Sequence, residues 1–281
     1  INNVNISSTN TAQAEQTNTA QVTNNVDVNA NTGNNTADQN NGGETNIATG
    51  DIIASSQITN AGINESTVDI GCCQGSTGIN ISDNGSDSTN YIGYSQDSST
   101  NVTVNNSANI NNSVNGYANT GYNNANQNNG SVSISTGSIK ATDVIKNNSI
   151  NIYEVNAASG TGGSVYISVD GNAADSDNTV NFTNNNNVNI NVNNSANIVN
   201  DSNWDLNTGG NNANQNNGDV SITTGDILFQ STIENTDINI GLVDVDCCEE
   251  EKGPPPDSTP PPSNPPSHNN GNNGGGQGGS S

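Results

Sequence analysis

Valine and isoleucine alternate with asparagine, serine and threonine through much of this chain. The runs VSIS (132–135), VSIT (220–223), VYISV (165–169), INIS (79–82) and VNINV (188–192) put branched apolar residues on one face and small polar ones on the other. A period of two with β-branched residues predicts strands that each bury one face. Between the runs lie TG, GG, NG and NNG clusters, whose glycines and asparagines tolerate the left-handed backbone of tight turns. No segment carries sustained i, i+3, i+4 apolar spacing, so the folded part is read as all-β.

The pattern itself repeats. NTGYNNANQNNGSVSISTGS at 119–138 returns 88 positions later as NTGGNNANQNNGDVSITTGD at 207–226. A third copy, NTGNNTADQNNGGETNIATGD, begins at Asn31, 88 positions before Asn119, and carries one extra residue ahead of its TG-Asp ending. Self-similarity at a fixed period means that one structural unit is used repeatedly and that neighbouring units share a surface. The units divide as a truncated repeat over 1–73, a second over 74–160 and a third over 161–248.

Two architectures fit this frame. In a repetitive β-solenoid or β-helix-like stack of three repeats of about 88 residues, each short strand lies on its counterpart in the next coil, apolar residues fill a narrow interior, and outward asparagines form ladders. In the alternative, each unit closes as its own β-sandwich module. Three features favour the continuous stack: an aromatic share of 3% is too low for three sandwich cores, no linker separates the units, and a GxVxI-like strand recurs at 132, 165 and 220. The first repeat lacks the counterpart of QGSTGINISDNGSDS (74–88), including one strand. It is expected either to form an atypical cap or to be completed by a strand from a neighbouring molecule.

After Cys248 the pattern stops. Residues 249–281 begin with an acidic cluster, continue as a proline run and end in glycine and asparagine. This composition predicts an extended or disordered tail outside the repeat fold, acting as a spacer or docking along a neighbour.

Composition narrows the function. Of 281 residues only 28% are hydrophobic, 63 are asparagine, and 27 acids against three lysines and no arginine give a formal charge of −24. Such a chain must order itself largely through amide hydrogen bonds. Lacking the cations that displace counterions from phosphate, it is not expected to bind nucleic acid or anionic membrane surfaces. No apolar run approaches the roughly 20 residues needed to span a bilayer, so no membrane insertion is expected. The start at Ile1, without methionine or an apolar leader, reads as a mature product whose signal peptide has been removed. The natural partners are further copies of the chain, cations, or glycans and cell-wall components.

Two constellations could carry chemistry. The cysteines come as adjacent pairs, Cys72–Cys73 and Cys247–Cys248, at equivalent places in the first and third repeats. Adjacent cysteines poorly suit one zinc ion, and an exported chain favours disulfides, either vicinal or between molecules, since equivalent positions two units apart exceed the roughly 7 Å span of a bridge. The second constellation is acidic: Asp83 and Asp87, and Asp170, Asp175 and Asp177, lie in Gly/Asn-rich turns at matching positions. Oxygen ligands on flexible turns suit calcium, although neither loop has EF-hand spacing and a solvated turn is the alternative. No cofactor is otherwise expected. Enzyme activity is not expected either: the single histidine, His268, lies in the tail, so no histidine-activated nucleophile is available to the folded part. Lys140 and Lys146 are not repeated between units, which argues against a built-in isopeptide device.

Through its NTG…NANxNNGxVxIxTGD blocks, over about residues 18–248, the chain resembles the Asn/Thr/Gly-rich surface repeat proteins of bacteria. It is similar, more weakly, to curlin-type fibre subunits, sharing ANQNNG but not the regular Ser–Gln–Gly–Asn–Gln spacing. The resemblance implies a secreted, extracellular or cell-surface role without catalysis. The expected function is a self-assembling filament subunit that polymerises by head-to-tail β stacking or strand addition. In it Asn123, Asn124, Asn126, Asn128 and Asn129, with Asn211, Asn212, Asn214, Asn216 and Asn217, form assembly ladders over an interior of Val132, Ile134, Val220 and Ile222. The alternative is a monomeric adhesin or stalk that binds glycan, calcium or ice.

Overall fold

A computed structural model describes residues 1–71, 75–159, 164–171 and 173–247. Fourteen strands and no helix occur among them. Every strand pairing is parallel and joins residues 87 or 88 apart. The chain is therefore a continuous solenoid of three coils, and the sandwich alternative is set aside because each sheet is built from different repeats.

One coil is traced most simply in the middle of the stack. Strand β5 (Thr77–Ser82) turns at residues 83–88 into β6 (Thr89–Asn119). The chain then rounds a tip and returns through β7 (Val132–Ser135), β8 (Ile139–Ile150) and β9 (Tyr153–Ser159). Coil 3 repeats the path with β10 (Val165–Asp170), β11 (Asp177–Asn207), β12 (Val220–Thr223), β13 (Ile227–Ile238) and β14 (Gly241–Cys247). Coil 1 supplies β1 (Asn2–Asn31), β2 (Thr45–Ala48), β3 (Ile52–Ile63) and β4 (Ser66–Ile70). The long strands pair β1-β6-β11, and four shorter sheets, β2-β7-β12, β3-β8-β13, β4-β9-β14 and the two-stranded β5-β10, face them. At about 3.3 Å per residue the 31-residue β6 runs on the order of 100 Å.

The expectation of short strands is corrected here. Along the long side the apolar alternation is interrupted by inward Ser, Gln, Thr and Asn, yet the strand continues. Its inward face is buried throughout β6, from Asn90 and Ile92 to Ala118. Pairing on both sides fixes its register, since a slip of one residue would turn every inward side chain outward.

The core is a chain of small clusters strung along this strand. Ile92 and Tyr94 pack on Ile79 and Ile81, Val102 and Val104 on Val155 and Ala157, Ile110 on Ile150, Val114 on Ile145, and Ala118 on Ile139. Ile134, Val132 and Ala125 close the tip.

The corners repeat as faithfully as the strands. Gln39, Gln127 and Gln215 all take positive φ (60°, 59° and 56°), as do Asn64, Asn151 and Asn239 (56°, 56° and 57°). The extra residue of the first copy sits in the tip loop: Asn40 faces Asn128 at a spacing of 88, whereas Thr45 pairs with Val132 at 87. Gly42 and Gly43, with φ of 138° and 88°, take up the added length in a conformation that L side chains rarely adopt.

Candidate assembly site

Asparagine at the same place in all three coils puts one amide above another at the sheet spacing, where each side chain can donate to the next and accept from the one before. Nine amide columns run through all three coils, eight of asparagine and one of glutamine. In the strands and corners, Asn2, Asn90 and Asn178 are linked at 2.9 and 2.7 Å, Asn18, Asn106 and Asn194 at 2.9 and 3.0 Å, and Asn64, Asn151 and Asn239 at 2.9 and 2.7 Å. At the tip, Asn35, Asn123 and Asn211 are linked at 2.9 and 2.8 Å, and the three repeated glutamines at 3.0 and 3.0 Å. Asn31, Asn119 and Asn207 form another column, and the backbone N–H groups of Asn40 and Asn128 donate to the Oδ1 atoms of Asn128 and Asn216.

The two remaining columns face each other inside the solenoid. Asn24, Asn112 and Asn200 project from the long sheet, and Asn60, Asn147 and Asn235 from the sheet opposite. Their amides also cross the interior: Asn24 donates to Asn60, Asn60 to Asn112, Asn112 to Asn147, and Asn147 to Asn200. Asn112 and Asn147 are fully buried, so these hydrogen bonds replace hydrocarbon at the middle of the core.

The ten predicted ladder residues are placed as follows. Asn123–Asn211 and Asn128–Asn216 stack through their side chains, with Asn123 and Asn128 buried where outward ladders were expected, and Asn129–Asn217 stacks at 3.1 Å. Asn214 donates its backbone N–H to Asn126 Oδ1 at 2.7 Å. Asn124 and Asn212 meet through a backbone bridge. The interior columns, Asn24-Asn112-Asn200 and Asn60-Asn147-Asn235, were not singled out from the sequence; asparagine at all three equivalent positions is the signal that finds them.

The two ends of the stack differ from its middle. β1 and β11 each pair with β6 alone, so each presents its outer edge of N–H and C=O groups unpaired. On coil 3 the inward residues of β11 from Val188 onward are half-buried, whereas those at the start of β11 and in β12 and β13 are open to solvent: Phe182, Ile222, Ile227, Phe229 and Ile233 are 51%, 44%, 45%, 43% and 48% exposed. Their column mates in coil 2, Tyr94, Ile134, Ile139, Ala141 and Ile145, are buried. Val220 and Ile222, expected in the interior, are thus at its uncovered end. Among the described residues the buried side-chain polar atoms without a hydrogen bond, Gln16 Oε1, Ser202 Oγ and Trp204 Nε1, all belong to coils 1 and 3.

The acidic turns are regular but dispersed. Asp83 and Asp87 take left-handed φ in the turn before β6, Asp87 lies in one column with Asp175, Asp170 ends β10 and accepts from Ser168 Oγ at 2.9 Å, and Asp177 opens β11. Among the described residues no three acid, histidine or cysteine side chains converge on a position for a metal ion. One carboxylate is interior: Asp143 is fully buried in β8 and accepts from Ser56 Oγ at 2.5 Å and Ser231 Oγ at 3.3 Å, hydroxyls of the coils on either side. Cys247 closes β14, with its backbone paired to Ser159. Cys72, Cys73 and Cys248, and the tail they precede or adjoin over 249–281, lie outside the described residues. No helix among the described residues is long and apolar enough to cross a membrane.

Comparison with protein-family models, with curated proteins and with solved structures found no match to this chain.

Proposed function

We propose that the chain is the structural subunit of an extracellular filament that grows by stacking coil 3 of one copy on coil 1 of the next. The observation that carries this reading is the uncovered apolar end of coil 3. Solenoids that end in solvent are normally closed by a polar cap, and an unpaired flat edge is a template for another strand. An end face about 100 Å long and two sheets deep, about 20 Å, offers on the order of 2,000 Å² per partner, in the range of obligate interfaces.

The repeat supports one register. With coil 1 of the next copy continuing the columns, Asn200 meets Asn24, Asn235 meets Asn60, and all nine amide columns continue. Phe229 faces Ala54, large on small, and the outward Leu228 faces Ile53, which is 83% exposed in the single chain. Head-to-tail contact of this kind does not close, so it yields a filament. No metal, cofactor or enzymatic step is part of the reading.

Substitution at the open end tests it. Phe229→Asp and Ile233→Asp together leave the β circular-dichroism spectrum of the single chain unchanged and abolish polymerisation, followed by sedimentation and negative-stain microscopy. Wild-type chains that stay monomeric at every concentration and salt, as isolated rods, would instead fit the adhesin or stalk reading.

A further inference from the structure

The placement of acids in the coils carries a consequence for how stacking is controlled, and it rests on the filament reading above. Within the chain, acids avoid each other from coil to coil. Asp97 lies between Thr9 and Asn185, Glu154 between Thr67 and Leu242, and Asp27 against Asn115. Among the described residues only Asp87 and Asp175 share a column in adjacent coils.

Three columns instead read acid, neutral, acid: Glu44-Ser131-Asp219, Asp51-Ser138-Asp226 and Asp69-Asn156-Asp244. All six acids are exposed. A serine or asparagine of coil 2 separates them in the single chain, and Ser138 bonds both its neighbours, its N–H to Asp51 Oδ1 at 2.7 Å and its Oγ accepting from the Asp226 N–H at 3.2 Å. At the junction nothing separates them. Asp219 lands on Glu44, Asp226 on Asp51 and Asp244 on Asp69 of the next copy, at the strand spacing of about 4.8 Å. The other acids of the end coils that gain a counterpart at the junction meet uncharged side chains, for example Glu15 opposite Asn191 and Asp201 opposite Asn25. The two described lysines cannot compensate, because both stand in coil 2: Lys140 between Ile53 and Leu228, and Lys146 between Thr59 and Glu234.

We infer that these three carboxylate pairs, formed only between copies, are an electrostatic brake that keeps subunits apart until the medium screens them. In high-dielectric surroundings a like-charge pair about 5 Å apart lowers an association constant by a factor of about four, and three pairs by roughly sixtyfold. Screening removes most of this penalty between a Debye length of about 30 Å at 0.01 M salt and about 3 Å at 1 M.

The test compares critical concentrations at neutral pH, in about 0.01 M and about 1 M sodium chloride, for three full-length proteins. They are the wild type, the junction variant Asp219→Asn/Asp226→Asn/Asp244→Asn, and a control, Asp83→Asn/Asp97→Asn/Glu154→Gln, which removes the same net charge from coil 2. The brake predicts that the wild type and the control need high salt. The junction variant should assemble in low salt at a critical concentration at least tenfold below that of the wild type. Equal behaviour of junction variant and control, or wild-type assembly indifferent to salt, overturns the brake while leaving the filament reading intact. Monomers of all three proteins under both conditions overturn both.

Discussion

Replacing Asn112 with alanine removes the centre of the interior amide network. Its side chain accepts from Asn24 at 2.8 Å and Asn60 at 3.0 Å, and donates to Asn147 at 3.1 Å and Asn200 at 2.7 Å. A net hydrogen bond is worth about 1 kcal/mol, and a buried group left wholly unpaired costs more. Here no neighbour is stranded: Asn24 and Asn60 donate also to Asn60 and Asn147, while Asn147 and Asn200 accept also from Asn60 and Asn147. The loss is therefore four bonds without an orphaned amide, about 4–5 kcal/mol with the small cavity included. Asn109→Ala is the control, since that side chain is exposed and makes one contact, from Asn197 at 3.1 Å; it should cost within about 0.5 kcal/mol. Urea unfolding of the single chain in low salt, followed by circular dichroism, gives both values from the shift in midpoint at constant slope. Equal midpoints for the two variants would refute the claim that interior amides hold the coils together.

The remaining predictions concern packing and surface charge. Gly116→Ala places a methyl group 2.1 Å from Trp204 Cδ2 and Cε3, so it should destabilise by about 1–3 kcal/mol and shift the emission of the single tryptophan. Ile145→Ala, at a fully buried site beside Ile58 and Val114, should cost about 2–5 kcal/mol in thermal or urea unfolding, whereas Ile53→Ala on the outward face should be close to neutral. Lys146→Ala breaks the 2.9 Å ion pair to Glu234, in which both side chains are 47% exposed; its effect should stay within about 0.5 kcal/mol and vanish in high salt.

Much of the fold was legible because the repeat and the strand period are independent signals that agree. The spacing of 88, with one extra residue in the first copy, sets Lys146 opposite Glu234 and Thr59, as the solenoid register does. The 30-residue β1 was not legible, because SSTNTAQAEQTNTAQ has no Val or Ile alternation and a single strand of such composition would not hold. It holds because its inward Asn18 is bonded to Asn106, and Asn106 to Asn194, so register replaces hydrophobicity. Asp143 was missed for a related reason. A carboxylate reads as outward-facing until its column is written out and the serines above and below it become visible. The end face belongs to the same class, since Val220 and Ile222 carry an interior pattern, and only their exposure of 46% and 44% shows that among the described residues no strand covers them.

Helical reconstruction of the native assembly by electron cryomicroscopy tests the central claim most directly. Coils continuing from copy to copy predict a rise of about 14 Å per subunit, three strand spacings of about 4.8 Å, with strands perpendicular to the filament axis. A filament with strands along its axis, or a rise unrelated to three coils, would contradict it.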